Sequence, residues 1–154
     1  METLERQILE TWQINHRTNL LLMDHIPEES LGWTTSPRGG GKIGHQLAHL
    51  YNVRFWKMER FDKSLVQDMV TIKASDEKTL DLLRDLHELS AGCIETMIVQ
   101  ALENDGQVKG WKRGIVSLLG SFIHHEAHHR GNILLTLKLH KFKFPNELKY
   151  GISR

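Results

Sequence analysis

The sequence has few of the features that mark secreted or membrane proteins. It contains a single cysteine, Cys93, which excludes an intramolecular disulfide and fits a reducing compartment. No stretch approaches the roughly 18 consecutive apolar residues that a membrane span requires. The charged N-terminus lacks the apolar core of a signal peptide. We therefore expect a cytoplasmic protein with no membrane partner.

The chain also lacks an excess of charge of either sign. Its 154 residues carry a net charge of +1, and 25% of them are charged. A nucleic-acid-binding domain usually has a strongly basic surface, and a disordered acidic tail has the opposite bias, so neither class fits. The length suffices for one domain with a substantial core, and we predict a single domain over residues 1–154.

Four long segments have the hydrophobic periodicity of helices, whereas no convincing strand and no internal repeat are present. The predicted helices cover about residues 3–24, 43–61, 75–102 and 114–139. Ser75, followed by two acidic residues, is the expected N-cap of the third helix. The stretch "LVQDMVTIKAS" before it is interpreted as a connection. Four such helices predict an all-α four-helix bundle, a fold that builds metal sites from side chains on facing helices.

Histidine is the one residue type that is unusually frequent, with ten in the chain. The stretch "IHHEAHHRGN" of the fourth helix contains four of them. At 100° per residue, His125 and His129 border the apolar face of that helix, whereas His124 and His128 face away from it. Imidazoles at positions i and i+4 lie side by side and can bind one ion. The spacing therefore favours His125 and His129 as metal ligands and His124 and His128 as solvated residues.

His125, Glu126 and His129 also match the H-E-x-x-H motif of zinc peptidases. The longer form of the motif fails, because Asn132 stands where it requires glycine and Leu135 where it requires a third histidine. The sequence also offers no strand that would hold a peptide along a sheet edge. A peptidase is therefore disfavoured.

A third ligand has to come from another helix, and the second helix contains "IGHQLAHLYNVRFW". His45 and His49 are again four residues apart. His49 shares a partly apolar face with Val53 and Trp56, which suits the interior of a bundle. His45 lies nearly in line with His49, so periodicity alone does not choose between them.

The stretches "IGHQLAHLYNVRFW", "LLGSFIHHEAHHRGNIL" and "FPNELKYG", with the loop "IPEESLGW", resemble the DinB/YfiT-like superfamily of DNA-damage-inducible-type proteins. The resemblance covers nearly the whole chain. Its most specific part is the histidine that ends "IGxxLAH" combined with H-x-x-x-H-R-G-[Q/N]. It implies a four-helix bundle, commonly a homodimer, with a divalent metal held by three histidines. Carried over by position, these ligands are His49, His125 and His129.

The sequence departs from the family pattern at two positions. Asn132 replaces the more usual glutamine, and His140 stands where glycine is expected. Neither position belongs to the three-histidine group, but both leave the subfamily open.

The implied ligand set indicates the chemistry of the site. Three imidazoles without a carboxylate suit Zn²⁺ or Ni²⁺ better than iron or manganese. Such a site keeps a coordination position for water or a small-molecule substrate. Related members of the superfamily include thiol-dependent S-transferases and a thiol-dependent isomerase, so the resemblance implies activation of a low-molecular-weight thiol. Hydrolysis is the neighbouring possibility, and a non-catalytic metal-binding or dimeric interaction protein is the alternative class.

Three further residues have candidate roles. Glu126 could accept a proton or orient a ligand histidine, or it could be a surface acid paired with Arg130. Trp56 lies about two turns after His49 and could form a wall of a cofactor or substrate pocket over the metal. Cys93 lies on the apolar stripe of the third helix and is predicted to serve core packing.

Overall fold

The computed structural model describes residues 3–35 and 41–152, and this part of the chain is helical with no strand. The helices are α1 (Thr3–His25), α2 (Ile43–Phe61), α3 (Leu80–Leu102), α4 (Gly114–Leu139) and a short α5 (Asn146–Gly151). Two short 3-10 helices, Glu28–Gly32 and Lys63–Val66, lie in the connections. The all-α prediction is confirmed, and α2 and α4 have the bounds that the periodicity predicts.

The start of α3 differs from the prediction. Thr79, not Ser75, is the N-cap, and its side-chain oxygen accepts a hydrogen bond from the backbone N–H of Leu82. The preceding residues form a turn closed by their own side chains. The Lys73 N–H donates to Asp76 Oδ2 at 2.8 Å, and Lys78 Nζ donates to the backbone carbonyls of the same turn. Because these bonds hold the segment in a non-helical conformation, the helix begins only at Leu80.

The core of the bundle consists of two apolar clusters. The first includes Trp12, Tyr51, Ile94 and Phe122. The second includes Leu22, Leu47, Leu83 and Ile133. Along α1, α3 and α4, buried polar residues lie between the members of the two clusters: Asn15, Asn19, His87, Ser90 and Glu126. This polar layer is at the level of the histidine-rich turn of α4.

Two features of the fold bear on its function. The helices that carry the predicted ligands, α2 and α4, pack against each other. None of the helices in the described part of the chain combines the length and the apolar character that crossing a membrane would require.

Cys93 lies partly buried against the first apolar cluster. Burial, together with the charge of Asp68, raises the pKa of its thiol. A raised pKa lowers the thiolate fraction at neutral pH, and the thiolate is the nucleophilic form. The surroundings therefore support the prediction that Cys93 serves packing.

Candidate metal centre

Three histidine side chains from two helices converge at the α2–α4 contact. His49 comes from α2, and His125 and His129 come from successive turns of α4. Their ligand nitrogens all lie within 4.8 Å of one another. The structure thus brings together the three residues that the family resemblance implies as ligands. Among the described residues, no carboxylate or thiol joins this group.

The spacing between His49 and His125 fits two ligands of a tetrahedral ion. The Nε2 atoms of His49 and His125 are 3.3 Å apart. Two nitrogens bound to zinc at about 2.0–2.1 Å in tetrahedral geometry are separated by roughly 3.3–3.4 Å. Two imidazoles whose nitrogens face each other at this distance can share one proton or one metal ion. The donor set and its spacing therefore fit a divalent metal.

The surroundings of His125 and His129 favour the uncharged form of both imidazoles. Burial and the neighbouring histidines lower the pKa of His129 to about 4. Burial, followed by the charges of His49 and Lys57, also lowers the pKa of His125. A metal binds the neutral form of imidazole, so the lowered pKa values of His125 and His129 favour metal binding at neutral pH.

Gln46 fixes which nitrogen of His129 faces the group. Its Nε2 donates to the backbone carbonyl of Gly41 at 3.2 Å, so its Oε1 points to His129 Nδ1, also at 3.2 Å. An amide oxygen can only accept a hydrogen bond, and Nδ1 therefore carries the proton. The lone pair of His129 Nε2 is left free for a metal. Sequence reasoning missed Gln46, although a buried polar residue one turn before a ligand is a typical signal of such support.

We expect the substitution Gln46→Leu to weaken zinc binding by about 10- to 100-fold, because outer-shell partners of ligand histidines contribute on this scale. The measurement is competition with a chromogenic zinc chelator. His45→Leu is the matched control, because His45 is the exposed neighbour on the same turn and lies outside the three-histidine group. Equal zinc affinities for Gln46→Leu and the wild type would contradict the assigned role.

The other histidines of the motif stretches lie outside the group. His124 and His128 are exposed, as their positions on the helix predict. His128 Nε2 contacts the side-chain amide of Asn132 at 3.3 Å, one turn away on the same surface. His45 is also exposed, so the packing of α2 makes the choice between His45 and His49 that periodicity left open.

Glu126 lies in the core and has no place in the three-histidine group. Its side chain is 1% exposed and forms a bidentate ion pair with Arg54, with nitrogen–oxygen distances of 2.7 and 3.0 Å. Asn15 and Asn19 each donate to its Oε2 at 2.6 Å. Burial opposes ionisation, but the Arg54 guanidinium outweighs it and lowers the pKa of Glu126 to about 2. The alternative of a surface acid paired with Arg130 is therefore wrong, and the catalytic role of Glu126 stays a prediction.

Arg54 is the centre of a hydrogen-bond network that joins all four long helices. Its side chain is fully buried, and its Nη1 donates to the His87 carbonyl and to Ser90 Oγ, each at 3.0 Å. The guanidinium carbon also lies 4.9 Å from the centre of the Trp12 ring. Because Arg54 is on α2 and Glu126 follows His125 on α4, the pair connects the two ligand-bearing helices directly beside the histidines.

Trp56 lies beside the three-histidine group. Its ring is edge-on to that of His49, with 6.5 Å between the ring centres, and its side chain is 49% exposed. An exposed indole in this position is available to a molecule that approaches the histidines. Its role in binding a cofactor or substrate stays a prediction.

The comparison with protein-family models bears on the same residues. The model described as the DinB family matches residues 1–140, a range that includes all three histidines of the group. No curated protein and no solved structure gives a significant match. The match covers most of the chain, and the helical fold agrees with it. This chain belongs to the DinB family.

Proposed function

We propose that this DinB-family protein is a divalent-metal-dependent enzyme that uses a low-molecular-weight thiol to modify a small molecule. The observation that carries the proposal is the convergence of three imidazoles from α2 and α4, with no carboxylate among them in the described residues. In this proposal His49, His125 and His129 bind Zn²⁺ or Ni²⁺, the ions that suit such a donor set.

The position of the group supports access for a small ligand. A surface cavity of about 200 Å³ is lined by His49 together with His45 and Asn52. Three protein ligands leave a tetrahedral ion one coordination position for an exogenous group, as in catalytic zinc sites. Of the three histidines, His49 lines this cavity, so the incomplete ligand set lies next to an open surface cavity.

The surroundings of Glu126 favour thiol chemistry over hydrolysis. A hydrolase usually needs a general base within hydrogen-bond reach of the attacking water. Glu126 is the acid next to a ligand in sequence, but its two oxygens accept bonds from Arg54, Asn15 and Asn19 in the core. A thiol has no such need, because a divalent ion stabilises its thiolate directly.

The proposed reaction is a nucleophilic transfer of sulfur. The thiol loses its proton to solvent, and the sulfur forms a bond to an electrophilic carbon of the substrate. The leaving group departs with the electron pair of the broken bond, so no oxidant or reductant is required. Trp56, whose exposed ring lies next to that of His49, contributes by positioning the thiol.

A low-molecular-weight thiol added to the Co²⁺-substituted protein is expected to produce an intense near-ultraviolet sulfur-to-cobalt absorption band, because the thiolate binds the ion. The measurement is an absorption titration. His129→Ala, loaded under the same conditions, is the control and should give no protein-bound band. A spectrum that millimolar thiol leaves unchanged would overturn the thiol-dependent function.

A non-catalytic metal-binding or dimeric interaction protein is the second candidate. It is favoured by one observation: the acid nearest to the ligands in sequence, Glu126, is committed to a structural ion pair. The absence of thiol binding with metal still present would favour this candidate. The homodimer that the family resemblance implies belongs to either proposal.

A further inference from the structure

Lys57 is a partly buried cation that lacks a carboxylate partner. Its Nζ donates to Ser121 Oγ at 2.8 Å and lies 4.6 Å from the centre of the Phe122 ring. Among the described residues, the ion pairs involve other cations. The carboxylate whose charge acts on Lys57, that of Glu126, is already paired with Arg54. An ammonium has three donors, and a partly desolvated one that forms no ion pair of its own attracts an anion.

This ammonium lies next to the three-histidine group. Lys57 is on α2, two turns after His49, and its partner Ser121 is on α4, one turn before His125. The bond between them therefore bridges α2 and α4 about one helical turn from His125 and about two turns from His49. After burial and His49, the charge of Lys57 also lowers the pKa of His125.

An exposed aromatic residue, Trp56, lies beside both Lys57 and the three-histidine group. Trp56 precedes Lys57 on α2, and its ring is edge-on to that of His49. The side chain is 49% exposed, whereas the other ring at this place, Phe122, is buried. A ligand that reaches from the histidines to Lys57 can therefore cover the free part of the indole.

We propose that Lys57 and Trp56 form a subsite for the non-reacting end of the thiol, and that this end carries a carboxylate. The inference rests on the proposed function, because it places the sulfur at the three-histidine group. The carboxylate accepts a charge-assisted hydrogen bond from the Lys57 ammonium. The carbon chain between sulfur and carboxylate contacts Trp56. The preferred thiol is thus a small mercapto acid.

The test compares thiols that differ in one group. The Co²⁺-substituted full chain is titrated with 3-mercaptopropionate and with 3-mercaptopropan-1-ol. A second pair, 5-mercaptopentanoate and 5-mercaptopentan-1-ol, has the same end groups on a five-carbon chain. The absorption band reports each dissociation constant. In the wild type, the carboxylate thiol of at least one pair is expected to bind about five- to tenfold more tightly, slightly more than an exposed charge pair contributes, because Lys57 is partly buried.

Variants of Lys57 test whether its charge causes the preference for the carboxylate thiol. Lys57→Met removes the charge but keeps an unbranched chain, and it should bind both members of a pair equally. Lys57→Arg keeps the charge and should keep the preference. Lys63→Met is the control, because Lys63 is an exposed lysine beyond the end of α2, and it should behave like the wild type.

The outcomes distinguish failure of the Lys57 subsite from failure of the proposed thiol-dependent function. Equal affinities within both pairs in the wild type would overturn the subsite and leave thiol binding in place. A preference that persists in Lys57→Met would overturn the assignment to Lys57. The absence of a band with every thiol would overturn the proposed function and this inference with it.

Discussion

Alanine in place of His49, His125 or His129 is expected to abolish stoichiometric metal binding. A three-ligand site that loses one imidazole keeps two protein donors, and a loss of more than about 100-fold in affinity follows, since outer-shell changes alone cost 10- to 100-fold. The measurement is elemental analysis of protein prepared without an affinity tag. We expect about one zinc or nickel ion per wild-type chain and none in each variant.

Two neighbouring histidines provide matched controls for this result. His124→Ala and His128→Ala remove imidazoles from the same two turns of α4, but both residues are exposed and outside the group. These variants should retain the ion. Metal at wild-type stoichiometry in any of the three ligand variants would refute the assignment. If the wild-type chain contained no metal and bound none that was added, the three histidines would not form a metal site.

The four long helices, apart from the start of α3, and two of the three candidate ligands could be predicted from periodicity. His125 and His129 border the apolar face of α4, and a helix always places residues i and i+4 next to each other. The choice of His49 could not be made in this way, because His45 lies nearly in line with it. Only the packing of α2 on α4 leaves His45 exposed and directs His49 to the group, and the family pattern supplied that information in advance.

The buried polar layer was harder to predict, for a physical reason. Glu126 follows His125 by 100°, which places it on the apolar side of α4, but the surface alternative stayed open because a charged residue is rarely fully buried. The partner of Glu126 could not be predicted, because Arg54 comes from another helix and charged residues are rarely fully buried. A carboxylate and a guanidinium on different helices have no local pattern that predicts their pairing.

The start of α3 was predicted wrongly for another reason. Ser75 and Thr79 are both acceptable N-caps, and only the hydrogen bonds within the turn of residues 73–78 decide between them.

The substitution Arg54→Met is expected to lower the free energy of unfolding by about 3–5 kcal/mol, the range for breaking a buried ion pair. The methionine fills much of the volume but leaves the Glu126 carboxylate buried without its counter-ion. The His87 carbonyl and Ser90 Oγ lose a donor as well. The measurement is chemical denaturation of the metal-free protein at neutral pH, so that loss of metal does not contribute to the change.

Two further variants separate the ion pair from a general effect of substitution. In the double variant Arg54→Met with Glu126→Gln, both charges are gone while an amide oxygen still accepts from Asn15 and Asn19, so it should be more stable than Arg54→Met alone. Asp24→Asn breaks the exposed pair between Asp24 and Arg84 and should change stability by less than about 1 kcal/mol. If Arg54→Met proved as mild as Asp24→Asn, the buried pair would not hold α2 against α4. Its position beside His49 and His125 would then have no bearing on how those ligands are placed.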